Sequence, residues 1–419
     1  MALPTLAEKE IIVTLLALAL LLASAYLFGN LFEKIKAPRV VGEIVGGMFW
    51  GGSFLYFFFP ELVSGIFLAY EQEGKVLSIF YQLGLIFLMF LSGFNTNMRI
   101  NRDNVPVMGC VFVGATVLPM LAGIPFIGMF RENFVGPNGN EISFALVFVI
   151  AIAITSIPVI SKIFFDMGIM NTKFSDTVLT VSTFQDLCLW ILLNMATRIA
   201  ASGEVKLLDM ILVVALTLGM FVVVKWVSDK VEGTKREIKA IDFYSVSIVV
   251  LLLICGLLYM PGINIMYSAF LVGYLVKAFT GLEKKTMERM QALGDFSFSF
   301  FIPIYFALVG IQLNVLHNFS AVRFLLFFVL AFSLEAIGTL IMLQFTKVNR
   351  ATKLNFAITM NARGGPGIVL ATVAYSYEII NIEFFTVLIL TTMLSSLIAG
   401  YWLRLQQKKD PEVFLDFEK

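Results

Sequence analysis

Long apolar runs separated by short polar segments fill almost the whole chain of 419 residues. A helix needs about 20 mainly apolar residues to cross the hydrocarbon core of a bilayer, and thirteen runs reach or approach that length. Polar residues interrupt the fifth and the twelfth. The pattern predicts an all-α polytopic membrane protein with thirteen transmembrane helices, over residues 11–29, 40–59, 76–95, 105–129, 142–165, 174–197, 207–228, 243–260, 263–280, 294–311, 321–345, 353–376 and 384–405.

The distribution of positive charge orients these predicted helices. Most of the 30 Lys and Arg residues follow an odd-numbered run, and loops rich in Lys and Arg face the cytoplasm. The alternation predicts an outside N-terminus and a cytoplasmic C-terminus, with residues 406–419 as a short cytoplasmic tail. We expect the protein in the inner membrane of a bacterium. The opposite loops hold few positive residues, namely Lys9, Lys75, Arg131, Arg198 and Lys206.

Two of the runs are interrupted at mid-span. In the fifth, Pro158 lacks a backbone donor and would clash with the preceding turn, while Thr155 and Ser156 offer hydroxyls beside the break. The alternative is that Pro158 marks a simple kink. Paired breaks in two halves of a membrane chain are typical of a transporter with a midplane binding site. The break in the twelfth run centres on Arg363, Gly364, Gly365 and Pro366.

Asp186 lies in the middle of the sixth run. A carboxylate at this depth costs roughly 2.5–3.5 kcal/mol, so we interpret it as a site for a proton or an alkali cation. The alternative is a buried structural hydrogen-bonding group. Burial favours the neutral acid, and nearby oxygen atoms would suit a partly dehydrated alkali cation. The expected partners of Asp186 are Gln185, Ser182, Thr183, Thr155 and Ser156.

Composition excludes several other classes of protein. Hydrophobic residues make up 59% of the chain and charged residues only 14%, whereas a soluble domain carries about 25% charged residues. The net charge of +1 gives no reason to expect a nucleic-acid partner. The 3 cysteines lie in apolar runs and there is 1 histidine, so we expect no disulfide framework, zinc site or cofactor, and no ligand apart from transported ions.

The two breaks also suggest how the chain is organised. Because they fall seven helices apart, we expect inverted repeats of about residues 1–200 and 240–405, joined by a linker helix over about 207–228. Residues 1–405 would then form one membrane transport domain.

Several short motifs occur in the order seen in the monovalent cation:proton antiporter superfamily, which the chain resembles over nearly its whole length. The nearest branch contains NapA-type sodium/proton antiporters and Kef-type potassium efflux transporters. The motifs are GEIVGG at 42–47, GLIFLMFLSG at 84–93, TSIP at 155–158, QD at 185–186, PIYFALVG at 303–310 and RG at 363–364. The resemblance implies a core domain of crossed broken helices, a scaffold domain that forms a homodimer, and alternating access. It also implies that Asp186 binds cation and proton in turn.

Three positions depart from the pattern of the superfamily. Gln185 stands where electrogenic members carry a second aspartate, Glu335 lies where many carry a lysine, and Gly365 replaces a common glutamate. We therefore expect Glu335 to compensate the charge of Arg363, and exchange of one proton for one monovalent cation. The choice between Na⁺ and K⁺ stays open.

Other classes remain as alternatives. A sodium-coupled organic-solute symporter would need a larger polar cavity than this sparse core offers, and a channel or a sensor could share the same scaffold. The segment around Gly294 and Asp295 only faintly resembles an intramembrane aspartyl protease motif, so we do not expect an enzyme.

Overall fold

The structure is a computed structural model that describes residues 5–95, 104–170, 172–203, 240–260, 263–279, 284–317, 319–410 and 413–415, together with Ile211, Ala215, Gly219, Val222 and Trp226. The predicted linker helix over 207–228 therefore lies largely outside the described residues. Within the described residues the regular elements are helices. One isolated antiparallel bridge links Val135 and Ile380.

The first half of the chain contains the first six predicted spans. A π-helix, Val113–Val117, joins α6 to α7, and a 3₁₀ turn, Ile124–Phe126, joins α7 to α8. The helices are α1 Glu8–Lys34, α2 Arg39–Trp50, α3 Leu55–Phe58, α4 Pro60–Phe67, α5 Glu71–Asn95, α6 Val105–Phe112, α7 Leu118–Gly123, α8 Ile127–Phe134, α9 Glu141–Ile152, α10 Ile157–Met167 and α11 Lys173–Ser202.

The second half of the chain contains the eighth to thirteenth predicted spans. Its helices are α12 Ala240–Tyr259, α13 Ile265–Phe279, α14 Lys284–Ser299, α15 Phe301–Gln312, α16 Ala321–Leu343, α17 Arg350–Met360, α18 Gly364–Ser376 and α19 Ile382–Lys409. The tenth span was predicted without interruption, but it divides at Phe300. Pro303 explains this division, because proline cannot donate the backbone hydrogen bond to residue 299 that a continuous helix needs.

In the described part of the chain, 9 helical segments are long and apolar enough to cross a membrane. Two shorter apolar helices, Ser245–Tyr259 and Ile265–Lys277, cover the eighth and ninth predicted spans, and α17 with α18 covers the twelfth. Each predicted span other than the seventh thus has a helical counterpart.

The helices group into two compact units. The first contains α1 to α5 and α12 to α15, and its helix pairs approach closely through glycine. A Cβ atom on Gly47 would lie 2.7 Å from the Cα atom of Ala307, and one on Gly310 would lie 2.9 Å from the Cα atom of Gly47. Small residues allow membrane helices to pack backbone against backbone, which gives the GEIVGG and PIYFALVG motifs a structural role.

Glu43 also belongs to this first unit. It is buried, and its Oε1 atom accepts a hydrogen bond of 2.9 Å from Nε of Arg39, one turn earlier on α2. This contact gives Glu43 a structural role within the first unit. The second unit contains α6 to α11 and α16 to α19, and with them both broken spans and Asp186.

Candidate functional site

The first break separates α9 from α10. Residues 153–156 leave the helical path, and Ser156 caps α10 by accepting a 3.4 Å hydrogen bond from the backbone N–H of Val159. Pro158 is the second residue of α10, where a backbone N–H has no partner within the helix. Pro158 therefore marks the start of a helix and not a kink in a continuous one.

The second break separates α17 from α18. Gly364 begins α18 with a φ of 40°, in the left-handed region that favours glycine, and its N–H donates to Oγ of Ser396 on α19 over 3.1 Å. Gly365 and Pro366 complete the buried first turn of α18, and a Cβ atom on Gly365 would meet open space. The cap by Ser396 was not predicted, because it comes from a different helix.

The two breaks lie against each other. The backbone N–H of Ser156 donates to the carbonyl of Ala362 over 2.6 Å, and the Thr155 hydroxyl donates to the carbonyl of Met360 over 2.5 Å. A Cβ atom on Gly364 would lie 2.6 Å from Cβ of Ser156. The crossing therefore brings together the negative ends of α9 and α17 and the positive ends of α10 and α18.

An ion pair stands beside this crossing. Nη2 of Arg363 lies 3.0 Å from Oε2 of Glu335 on α16, and both side chains are buried. The same nitrogen donates to the carbonyl of Ile152 over 3.0 Å and to Oδ1 of Asn361 over 3.3 Å. Ile152 is the last residue of α9, so the guanidinium meets the partial negative charge at that helix end. Oγ1 of Thr155 lies 3.4 Å from Oε1 of Glu335.

Gln185 binds two backbone carbonyls on different helices. Its Nε2 atom donates to Ala115 in the π-helix over 3.2 Å, and to Ala153 at the end of α9. Neither acceptor was predicted, because a π-helix inside an apolar run has no distinctive residue pattern. Gln185 therefore ties α11 to the π-helix and to the first break.

Asp186 is 1% exposed, and neither of its carboxyl oxygens has a hydrogen-bond partner among the described residues. One turn away, the buried Oγ atom of Ser182 likewise has no partner. Thr183 differs, because its hydroxyl donates to the carbonyl of Leu179 in its own helix over 2.9 Å. Buried polar groups are nearly always hydrogen-bonded, so these three oxygens are available to a proton or a small cation.

Among the described residues, no group of three or more His, Cys, Asp or Glu side chains could hold a metal ion. The unpartnered oxygens at Asp186 and Ser182 belong to one carboxyl group and one hydroxyl group. That donor set suits a monovalent cation, because a dehydrated divalent ion generally needs several charged ligands or waters.

A family model described as "Sodium/hydrogen exchanger, transmembrane" matches residues 18–406. The sodium proton antiporter MjNhaP1 from Methanocaldococcus jannaschii has a similar structure, with a TM-score of 0.70, 17% sequence identity, and coverage of 96% of this chain and 99% of that one. This likeness confirms the predicted fold class.

Relatives include proteins from a plant and from bacteria. Cation/H(+) antiporter 20 from Arabidopsis thaliana is 25% identical over 407 residues, which cover 91% of this chain and 47% of the relative. The chain spans about half the length of this relative and of a second one from the same plant. The Na(+)/H(+) antiporter NhaS4 from Synechocystis is 25% identical over 94% of this chain and 96% of its own length. The Na(+)/H(+)-K(+) antiporter GerN from Bacillus cereus is 22% identical over 91% and 93% respectively.

Proposed function

The chain belongs to the sodium/hydrogen exchanger family of integral membrane proteins, and from that premise we propose that it exchanges a monovalent cation, Na⁺ or K⁺, for a proton by alternating access. The observation that carries the proposal is Asp186, a buried carboxyl group without a hydrogen-bond partner among the described residues. Its neighbour Gln185 binds the first helix break at Ala153.

A single carboxyl group can couple the two fluxes. A buried carboxylate without a partner is unfavourable, so Asp186 is stable either with a proton or with a cation. Ser182 and Gln185 supply neutral oxygens nearby in sequence, Ser182 one helical turn before Asp186. Proton and cation compete for the same carboxylate, so the site carries only one of them in each crossing of the membrane. Transport of one in one direction is therefore coupled to transport of the other in the opposite direction.

The neighbouring charges favour one proton for each cation. Gln185 has no ionisable group, and its N–H groups bind the carbonyls of Ala115 and Ala153. Glu335 and Arg363 neutralise each other. Asp186 is then the one group in the site that changes its proton occupancy during the cycle, so exchange is electroneutral.

The wider setting follows from the same proposal. Relatives named for Na⁺ alone and for both Na⁺ and K⁺ support an alkali cation, and their names do not favour a symporter. We propose a homodimer in a bacterial inner membrane, with the N-terminus outside and the C-terminus in the cytoplasm. The cycle involves no chemical conversion and requires no cofactor.

The test is proton flux in inside-out vesicles that contain the full chain. After a pH gradient is imposed, Na⁺, K⁺, Li⁺ or choline is added and dissipation is followed with a pH-sensitive dye. We expect dissipation by Na⁺ or K⁺, and none with Asp186→Asn. Asp176→Asn is the matched control, because it makes the same change in the first turn of the same helix and should retain exchange.

Each outcome has a distinct meaning. If no cation dissipates the gradient in vesicles with inserted wild-type protein, the exchanger proposal fails. If Asp186→Asn exchanges at the wild-type rate, the site has been assigned to the wrong residue.

A further inference from the structure

Four phenylalanine rings of the second unit form a cluster around the start of α11. The ring of Phe174, at the start of α11, lies 5.7 Å from that of Phe164 on α10 and 4.5 Å from that of Phe356 on α17. The fourth ring belongs to Phe414, beyond the end of α19, and lies 5.1 Å from Phe174. All four side chains are fully buried, so the segment after α19 completes an aromatic core that three other helices share.

Polar contacts hold the same segment in place. Near the end of α19, Nε2 of Gln407 donates to the carbonyl of Met167 over 2.8 Å, and Nη2 of Arg404 lies 3.4 Å from Oδ2 of Asp166. Farther on, the hydroxyl of Thr352 in the first turn of α17 donates to the carbonyl of Val413 over 3.4 Å. The last turns of α19 thus contact the end of α10, and Val413 contacts the beginning of α17.

These two helices are the ones whose inner ends form the crossing. Ser156 and Thr155 precede α10, and they donate to Ala362 and Met360 at the end of α17. Each helix has 11 residues, which at about 1.5 Å per residue makes it about 16 Å long. Hydrogen bonds therefore join α10 and α17 at the break. Away from the break, Phe174 contacts both helices through Phe164 and Phe356. Phe414 packs against Phe174.

We propose that Phe414 is a positioning residue for the exchange site: it packs against Phe174, which contacts both α10 and α17, and so maintains their crossing. At that crossing Ala153 binds Gln185, the neighbour of Asp186. This inference rests on the proposed function. Removal of the ring leaves a cavity beside Phe174, so the crossing becomes less well fixed. The affinity for the cation then falls, while Asp186 still carries protons and cations.

The experiment compares Phe414→Ala with Leu415→Ala in the vesicle assay, using whichever of Na⁺ or K⁺ drives exchange in the wild-type protein. Leu415 is the adjacent residue and is 55% exposed, so it controls for a change in the same segment. We expect Phe414→Ala to raise the half-saturating cation concentration by about 2- to 30-fold, the range typical of residues that modulate a distant site through packing. The maximal rate per inserted protein should stay near that of the wild type, and Phe414→Tyr should restore the affinity.

Two results would overturn the inference. One is a half-saturating concentration for Phe414→Ala equal to that of Leu415→Ala. The other is a loss of inserted protein and maximal rate at unchanged half-saturation, because that pattern indicates a contribution to stability alone.

Hydrogen exchange of the purified full chain separates this inference from the proposed function, since it needs no transport. We expect Phe414→Ala to accelerate amide exchange in α10 and α17 but not in α16, and Leu415→Ala to leave all three unchanged. If the wild type transports no cation, the proposed function fails, and with it the role of Phe414 in exchange. If the amides of α10 and α17 are unaffected, the positioning of these helices by Phe414 is refuted even in a working exchanger.

Discussion

Removal of one partner from the buried pair between Glu335 and Arg363 should destabilise the protein far more than removal of both. Glu335→Gln keeps the shape of the side chain but leaves the guanidinium of Arg363 without its counter-charge. Loss of one partner from a buried ion pair costs about 3–5 kcal/mol. Arg363 would still donate to Ile152 and Asn361, so we expect about 3 kcal/mol, near the lower end.

The double variant, Glu335→Gln with Arg363→Gln, should be more stable than either single variant. Two neutral side chains bury no uncompensated charge, and replacement of a whole buried pair is often close to neutral. For a unit of about 200 residues, 3 kcal/mol corresponds to a fall in Tm of about 6–12 °C. We expect this fall in each single variant and only a small part of it in the double variant.

Thermal unfolding of the purified full chain in detergent measures these differences. The matched control is the pair between Arg323 and Glu383, where the arginine side chain is 40% exposed. Glu383→Gln should cost less than about 1 kcal/mol, because solvent screens such pairs. The reasoning is refuted if Glu335→Gln costs no more than this control, or if the double variant loses the sum of the two single losses.

Two further predictions concern packing and buried carbonyls. Gly47→Val should strongly lower the Tm because the new side chain would overlap the backbone of Ala307. The control, Gly65→Ala, places its methyl group in open space and should raise stability by about 0.5–1 kcal/mol. Equal Tm values for the two variants would contradict the proposed helix contact. Gln185→Leu should cost about 1–3 kcal/mol for each carbonyl it leaves unpaired. Gln185→Glu should not restore the wild-type Tm, since even a neutral carboxyl group has a single donor for the two carbonyls of Ala115 and Ala153. Thermal unfolding tests both, and a wild-type Tm for Gln185→Leu would show that these hydrogen bonds do not matter.

The lengths of the apolar runs located the helices because the bilayer imposes a length on every span. Both broken helices were placed correctly, since Pro158 and Gly364 have backbone requirements that are visible in the sequence. The apolar pattern also drew attention to Asp186, because a carboxyl group in an apolar run is costly enough to need an explanation.

The sequence could not reveal contacts that depend on how the helices pack. Ser396 caps α18 from another helix, and Ala115 accepts a hydrogen bond through a backbone carbonyl that every residue type possesses. Thr183 was expected near the ion, yet its hydroxyl binds its own helix. Spacing along one helix does not decide between these outcomes, because they depend on rotamers and neighbouring helices.

The π-helix Val113–Val117 has a consequence for how this chain should be aligned with others. A π-turn closes its hydrogen bond over five residues instead of four, so the fourth span contains one residue more than a regular α-helix with the same ends. Each residue turns an α-helix by about 100°. A relative with a regular helix here would require a single-residue gap, and without that gap every position on one side of Ala115 would be compared with a residue that faces a different direction.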